Sequence, residues 1–367
     1  MKINCEVEYY DYKNRIRNLN VEAQGVVKSQ KFFPVYLKDN QEEIFKPLSK
    51  TKPLATPLFS YSEVVWSTII NKYFDSTAPV YRLAICEGYN EEVPKYHNHG
   101  TIVPSILNEG ERLVNILEYF KQYPDEAFDQ EKYINYCMKI YDYAPVFNTK
   151  LILENYELGK QLALQVLISI LKADQNYHYE NVGFICKDDK IIKFAPPIDH
   201  EFSSMFIYLD CLEANKQLVE NFSEWLEIKK SETTNEKIIA MLFNEFPGVS
   251  TNLNIIVERY EEVVKYFLEK LEVLIYDLEH NPLNLKDNNY LYPFNSDNYK
   301  AGMAQYKNNN LEAANAIMSS LKQVEVDIDE ISESIQQEIL FIARLLQKNL
   351  INRLDIKNQK TLSLINK

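Results

Sequence analysis

The stretch NYHYENVGFICKDDKIIKFAPPIDHEFSS, residues 176–204, decides the fold class of this chain. Within it, two short apolar runs, VGFICK and KIIKFA, are joined by Asp188 and Asp189, and this pattern is typical of a β-hairpin. The long run LILENYELGKQLALQVLISILK, residues 151–172, precedes the hairpin and has the i, i+3 and i+4 apolar spacing of a helix. A hairpin embedded in a helical region predicts that the chain mixes helices with strands.

The residues before about position 95 are predicted to form an antiparallel sheet. Short β-branched and aromatic runs recur there, namely VEYYDY, FFPVYL, EIFKPL and VYRLAICEGY. One helix interrupts them, because SYSEVVWSTIINKYF has apolar residues along one helical side. Ser60 and Glu63 have the spacing of a capping box, which predicts that the helix begins there.

Helical periodicity dominates from about residue 110 onward. Further helices are predicted for ERLVNILEYFKQ, QEKYINYCMKIY and residues 214–228, 252–280 and 325–350. This order of elements predicts an α+β chain with the two lobes of a kinase-like architecture. The expected units are a small β-rich N-lobe with one helix at 1–95, a larger helical C-lobe at 96–300, and a helical extension packed on the C-lobe at 301–367.

Composition and charge exclude several classes of protein. Of the 367 residues, 46% are apolar and 13% are aromatic, which excludes a disordered chain. A formal net charge of −13 disfavours direct binding to nucleic acid or anionic lipid, and the sequence has no signal peptide or membrane-spanning run. Five cysteines without a C-x-x-C pattern favour reduced thiols. We therefore expect a cytoplasmic protein that contacts no membrane and binds no nucleic acid directly.

Two polar residues flank the predicted hairpin. Asn181 precedes it and Asp199 follows it, and because a hairpin returns the chain to where it left, their side chains are expected to lie close together. A carboxylate and an amide carbonyl suit Mg²⁺, which prefers hard oxygen ligands. The alternative is that Asp199 caps the following helix and Asn181 closes a loop.

Other residues of the β-rich half could contact a nucleotide. Lys46 lies in a strand run and Glu63 in the helix, and a kinase positions an ammonium against phosphates with such a pair. The plainer alternatives are a solvated lysine and a glutamate that favours the helix macrodipole. The chain contains neither G-x-G-x-x-G nor G-x-x-x-x-G-K-[ST]. Gly25, Lys28 and Ser29 could offer backbone N–H groups and cations to phosphate, or they form an ordinary turn between strands.

Five segments follow one another along the chain in an order that can be compared with known families. They are AQGVVKSQKFF, FKPLS with Lys46, SEVVWSTI with Glu63, NYHYENVGFI and FAPPIDHEFSS. This order resembles the HipA-like serine/threonine kinase family over about residues 20–210. The later segments, Asn176 to Asp199, match more specifically, whereas Lys28 follows Gly25 by three positions where the family pattern has four.

The resemblance implies a two-lobed, protein-kinase-like fold and transfer of a phosphoryl group from ATP, with Mg²⁺, to a Ser or Thr hydroxyl of a protein substrate. It implies that Lys46 contacts the nucleotide phosphates and that Glu63 orients Lys46. By the same resemblance, Asn181 and Asp199 hold Mg²⁺. His178 matches the family's loop histidine and is expected to form structural hydrogen bonds.

The chain departs from the family pattern at the catalytic loop. Asn176 stands where the family has its catalytic Asp, and Asp174 stands where the family has Asn. A neutral amide cannot accept the proton of the substrate hydroxyl, and loss of a positioned base typically costs roughly 10²- to 10⁴-fold in rate. One of these two residues is expected to lie nearest the acceptor.

Several interpretations of this exchange remain open. Asp174 could act from its shifted position, transfer could be slow, or an inactivating substitution could have been introduced at position 176. The competing hypothesis is a catalytically inactive, nucleotide-binding pseudokinase. It would act as a regulator or as a toxin–antitoxin or phage-defence component, through contacts with an antitoxin-like or regulatory protein.

Overall fold

The computed structural model describes twelve parts of the chain. They are residues 1–3, 5–21, 31–47, 56–88, 99–129, 141–174, 177–198, 200, 203, 242, 246–285 and 328–365. The helix predicted at 214–228 lies outside these residues, as does the one at QEKYINYCMKIY except for its last residue, Tyr141. Within them, strands and helices both occur in number, so the predicted α+β class is confirmed.

The main sheet has six strands. In chain order they are β2 (Glu8–Asp11), β3 (Arg17–Val21), β4 (Lys31–Lys38), β5 (Gln41–Pro47), β6 (Arg82–Glu87) and β7 (His99–Pro104). Their spatial order is β2-β6-β7-β5-β4-β3. The prediction of an antiparallel sheet is wrong at one pair, since β2 runs parallel to β6. A parallel pair is possible there because the intervening chain forms a long connection rather than a hairpin.

The sheet continues beyond residue 95, where the predicted N-lobe ended. Strand β7 pairs antiparallel with both β5 and β6 and so lies inside the sheet. Close packing of β7 on β5 needs a glycine, because a Cβ at Gly100 would lie 2.2 Å from the carbonyl oxygen of Lys46. Long-range pairing of this kind leaves no local signal in the sequence.

One helix packs against the main sheet. Helix α1 spans Thr56–Ile69 and continues as a π-helical turn, Ile70–Phe74. The predicted capping box at Ser60 and Glu63 is wrong, because the helix begins four residues before Ser60. Pro57 suits the first turn of a helix, where its missing N–H has no intrahelical partner. Glu63 therefore lies in the middle of α1.

A second, three-stranded antiparallel sheet contains the predicted hairpin. Its strands are β8 (Glu111–Asn115), β9 (Gly183–Lys187) and β10 (Lys190–Phe194), in the order β10-β9-β8. The hairpin is confirmed, and Asp188 and Asp189 have φ values of 49° and 59°, as its two-residue turn requires.

The helix predicted for ERLVNILEYFKQ is wrong in its first half, which forms β8. Helix α2 begins only at Ile116 and ends at Gln122. The side chain of Asn115 accepts a hydrogen bond from the backbone N–H of Glu118 at 2.7 Å and so caps α2. Pairing of β8 with β9 therefore overrides the helical periodicity of the first five residues.

The remaining described elements build a helical half. Its helices are α3 (Ala144–Phe147), α4 (Lys150–Glu154), α5 (Tyr156–Leu171), α6 (Pro247–Arg259), α7 (Glu261–His280) and α8 (Ile328–Ile365). The predicted helix at 151–172 is broken at Asn155, and that at 252–280 is broken at Tyr260. A short parallel pair, β1 (Lys2–Ile3) with β11 (Asn284–Leu285), joins the first residues to this half.

The core is shared between the two halves. A single cluster of buried apolar side chains includes residues of α1, α5, α7 and α8, for example Trp66, Leu167, Phe267 and Ile342. Helix α8 continues well beyond the predicted end at residue 350 and packs on α5, α6 and α7. Across the described ranges, no helix combines the length and apolar character needed to cross a membrane.

Candidate functional site

An ion pair joins the main sheet to α1. Lys46, on β5, places its Nζ 2.5 Å from Oε1 of Glu63. The Glu63 side chain is 4% exposed, whereas that of Lys46 is 19% exposed. The carboxylate is therefore enclosed, whereas the lysine side chain is partly exposed.

The second oxygen of Glu63 also has a partner. Thr101 lies on β7 directly opposite Lys46, and its hydroxyl donates to Oε2 of Glu63 at 2.6 Å. Lys46 and Thr101 thus reach the same carboxylate from neighbouring strands, one at each oxygen. This arrangement restrains Glu63, and through it Lys46. The sequence did not indicate Thr101, because β5 and β7 lie more than fifty residues apart in the chain.

A second polar cluster lies buried at the end of α5. Lys172 Nζ is 2.8 Å from Oδ2 of Asp174 and 2.9 Å from Nδ1 of His200. All three residues are almost fully buried. Burial, followed by the positive charges of Lys172 and Lys46, lowers the pKa of His200 well below its usual value of 6.5. The imidazole is therefore neutral, and its Nδ1 accepts a hydrogen bond from the Lys172 ammonium.

Asp174 faces the protein interior rather than an open cleft. Its side chain is 4% exposed, and its backbone N–H donates to the carbonyl oxygen of Ser169 at 3.1 Å. The Tyr141 hydroxyl donates to the same carbonyl oxygen at 2.8 Å. Burial, and then the negative charge of Asp174, raise the pKa of Tyr141 and Tyr177 well above 10. These contacts favour a structural ion pair at Asp174 over an acid–base group that a substrate could reach.

Helix α1 also contacts the segment that follows position 199. Ser62 Oγ lies 2.8 Å from the carbonyl oxygens of both His200 and Ser203. Ser62 directly precedes Glu63 in α1, so one turn of the helix contacts the main sheet and this segment together. Tyr81 packs its ring edge against His200, with the ring centroids 5.6 Å apart.

His178 and Asn181 lie in the turn before β9. The ring Nδ1 of His178 accepts a hydrogen bond from the backbone N–H of Glu180 at 3.3 Å. The backbone carbonyl oxygen of His178 accepts a second one from the N–H of Asn181 at 3.0 Å. These bonds close a compact turn. His178 thus shapes the backbone that carries Asn181 toward the hairpin.

Two glutamines of α5 hold the chain that leaves the hairpin. Gln161 Oε1 accepts from the Phe194 N–H at 2.9 Å, and the Gln165 side-chain amide donates to the carbonyl oxygen of Ala195. The Ala195 N–H in turn donates to the carbonyl oxygen of Gly183 at 2.8 Å. The chain entering the hairpin and the chain leaving it therefore stay side by side.

Half of the predicted site residues lie outside the described part of the chain. These are Gly25, Lys28, Ser29, Asn176 and Asp199. Of the others, Lys46 and Glu63 are brought into contact, Asp174 joins the buried cluster, and His178 and Asn181 share one turn. Lys172, His200 and Ser62 were not singled out from the sequence, because nothing in their local spacing indicates that they meet.

Comparisons with known proteins add little to this geometry. No family model matches the chain, and no curated protein matches it. Among solved structures, it is similar to the crystal structure of a Helicobacter pylori proinflammatory kinase, CtkA. That match has 12% sequence identity and a TM-score of 0.37, and it covers 86% of this chain and 100% of the other. A TM-score this low does not establish a shared fold.

Proposed function

We propose that this protein is a HipA-like kinase with a two-lobed, protein-kinase-like fold, which transfers a phosphoryl group from ATP to a Ser or Thr hydroxyl of a protein. The observation that carries this proposal is the ion pair between Lys46 on a strand and Glu63 on the helix packed against it. A lysine ammonium that is positioned by a carboxylate on a neighbouring helix suits a phosphate oxygen.

The residues of this chain would bind and position the reactants. Glu63 and Thr101 would hold Lys46 in one orientation, so that its charge meets the phosphates without further reorganisation. Asn181 and Asp199 would supply an amide and a carboxylate oxygen to Mg²⁺. Bound ATP would supply the phosphoryl group, and Mg²⁺ would neutralise part of the charge of its phosphates. Positioning and charge carry most of the catalysis of this reaction, so the proposal does not depend on a strong base.

The first prediction concerns the proposed metal ligand. Asp199→Ala is expected to abolish the Mg²⁺-dependent part of ATP binding, because it removes the only carboxylate of the proposed pair. Isothermal titration calorimetry with ATP, with and without Mg²⁺, measures this. Glu126→Ala serves as the control, because it removes a carboxylate from an exposed loop position. Undiminished Mg²⁺-dependent affinity in Asp199→Ala would refute the metal assignment.

The second prediction tests the function through position 176. Restoring a carboxylate with Asn176→Asp is expected to raise turnover by at least ~10-fold, because a positioned base contributes 10²- to 10⁴-fold. The measurement is transfer of radiolabel from γ-labelled ATP to the protein itself and to casein. Wild-type protein without Mg²⁺ is the blank.

The pseudokinase remains the second candidate, and the environment of Asp174 favours it. The carboxylate of the exchanged pair is buried against Lys172, so it is not placed to accept a substrate proton. In that case the protein would bind ATP and act through a regulatory or antitoxin-like partner. ATP binding without transfer, in both the wild type and Asn176→Asp, would decide for this candidate.

A further inference from the structure

Three parts of the chain meet at Lys172. This residue is the C-cap of α5, and its ammonium lies 2.8 Å from Asp174 and 2.9 Å from His200. Asp174 begins the predicted catalytic loop, and His200 directly follows the predicted metal ligand Asp199. The lysine therefore contacts the first residue of the predicted catalytic loop, Asp174. It also contacts His200, the residue next to the predicted metal ligand.

The arrangement is not what packing alone would favour. Removing a lysine and a carboxylate from water is costly, and apolar side chains of similar volume are often as stable or more stable in a core. A buried ion pair with a further hydrogen bond does, however, define one arrangement of its partners, because each partner loses its hydrogen bonds if it moves. The cluster thus suits positioning better than general stabilisation.

The same cluster continues to α1. The Ser62 hydroxyl lies 2.8 Å from the carbonyl oxygen of His200 and 2.8 Å from that of Ser203. The next residue of α1 is Glu63, which holds Lys46. An unbroken series of polar contacts therefore runs from the end of α5, through the segment at His200, to the helix that orients Lys46.

We propose that Lys172 is a positioning residue that holds the predicted catalytic loop and the predicted magnesium-binding segment at a fixed separation, and that Ser62 transmits this arrangement to α1. This inference rests on the proposed function for its consequence in nucleotide binding. The structural link itself can be measured without any nucleotide.

The main variant is the double substitution Lys172→Met with Asp174→Asn, which removes the ammonium together with the negative charge that faces it. Asp174→Asn alone is its reference. His200→Leu removes the link from the other partner and leaves the Lys172–Asp174 pair in place, so it serves if the double variant does not fold. Lys160→Met is the matched control, because Lys160 lies on the same helix and pairs with the surface carboxylates of Glu157 and Glu262.

The first measurement is hydrogen–deuterium exchange of the free protein, on peptides that contain Asp174 and Ser203. Their amides donate to the carbonyl oxygens of Ser169 and His200. In the double variant both peptides are expected to exchange at least ~10-fold faster than in the wild type, whereas Lys160→Met stays within about twofold. In His200→Leu the Ser203 peptide alone is expected to exchange faster. Exchange as slow as in the wild type would overturn the proposal.

The second measurement is ATP affinity with and without Mg²⁺. The double variant is expected to lose about 10-fold in affinity with Mg²⁺ and less than about twofold without it, since only the metal-dependent contacts need both segments. Ser62→Ala is expected to show a smaller loss of the same kind. Equal losses with and without Mg²⁺ would show that Lys172 is only a core residue. If the wild type binds no ATP, the proposed function fails, and the exchange result alone decides whether Lys172 links the two segments.

Discussion

Lys46→Met is expected to lower phosphoryl transfer by about 10²- to 10³-fold, the size of loss found when one preorganised electrostatic group is removed from an active site. The reason is that Glu63, itself held by Thr101, fixes the position of the ammonium, so that its charge would meet the phosphates without reorganisation. The measurement is radiolabel transfer from ATP in the Asn176→Asp background, where the signal is expected to be largest.

The controls separate lost chemistry from lost stability. Lys46→Met leaves the buried carboxylate of Glu63 without the ammonium that faces it, and this change destabilises the protein on its own account. Adding Glu63→Gln removes that charge, so the double variant is expected to recover stability but not transfer. Lys38→Met removes an exposed lysine from the same sheet and is expected to leave transfer unchanged. Full transfer in the Lys46→Met protein would remove the principal support for the kinase proposal.

Lys172→Met is expected to lower the free energy of unfolding by about 3–5 kcal/mol, the usual cost of removing one partner from a buried ion pair. Both side chains are at most 4% exposed, so the variant would leave the Asp174 carboxylate buried without the ammonium that faces it. Urea denaturation followed by circular dichroism measures the change.

Two comparisons make this second prediction specific. Lys160→Met is expected to cost no more than about 1 kcal/mol, because its ion pairs lie at the surface. Combining Lys172→Met with Asp174→Asn is expected to recover most of the loss, because the buried negative charge is then removed together with the ammonium. A loss below about 1 kcal/mol in the single variant would mean that the Lys172–Asp174 ion pair contributes no more to stability than a surface pair.

The sequence alone indicated those features that depend on neighbouring residues. The turn at Asp188 and Asp189 is local, since two residues that tolerate positive φ between two apolar runs specify a hairpin. The mixed α+β class follows from the same kind of pattern. The sequence also placed Lys46 on a strand and Glu63 on a helix, and the structure brings the two together; their action on a nucleotide remains a prediction.

Local sequence patterns predicted the wrong element where contacts with distant segments outweighed the local preference. The helical periodicity of ERLVNILEYFKQ predicted one helix, yet its first five residues pair with β9, which lies 68 to 76 positions later in the chain. Ser60 and Glu63 had the spacing of a capping box, but α1 begins before them and carries Glu63 to the sheet.

Only the tertiary structure decided which polar groups meet in the interior. Thr101 reaches Glu63 because β7 lies beside β5, and His200 reaches Lys172 because the chain returns from the hairpin along α5. No spacing in the sequence encodes these contacts, since the partners come from segments tens of residues apart and lie together only after the sheet and the core have formed. The sequence therefore determined the local elements and a candidate chemistry. The packing of distant segments determined that Asp174 is buried against a lysine and is almost closed to solvent.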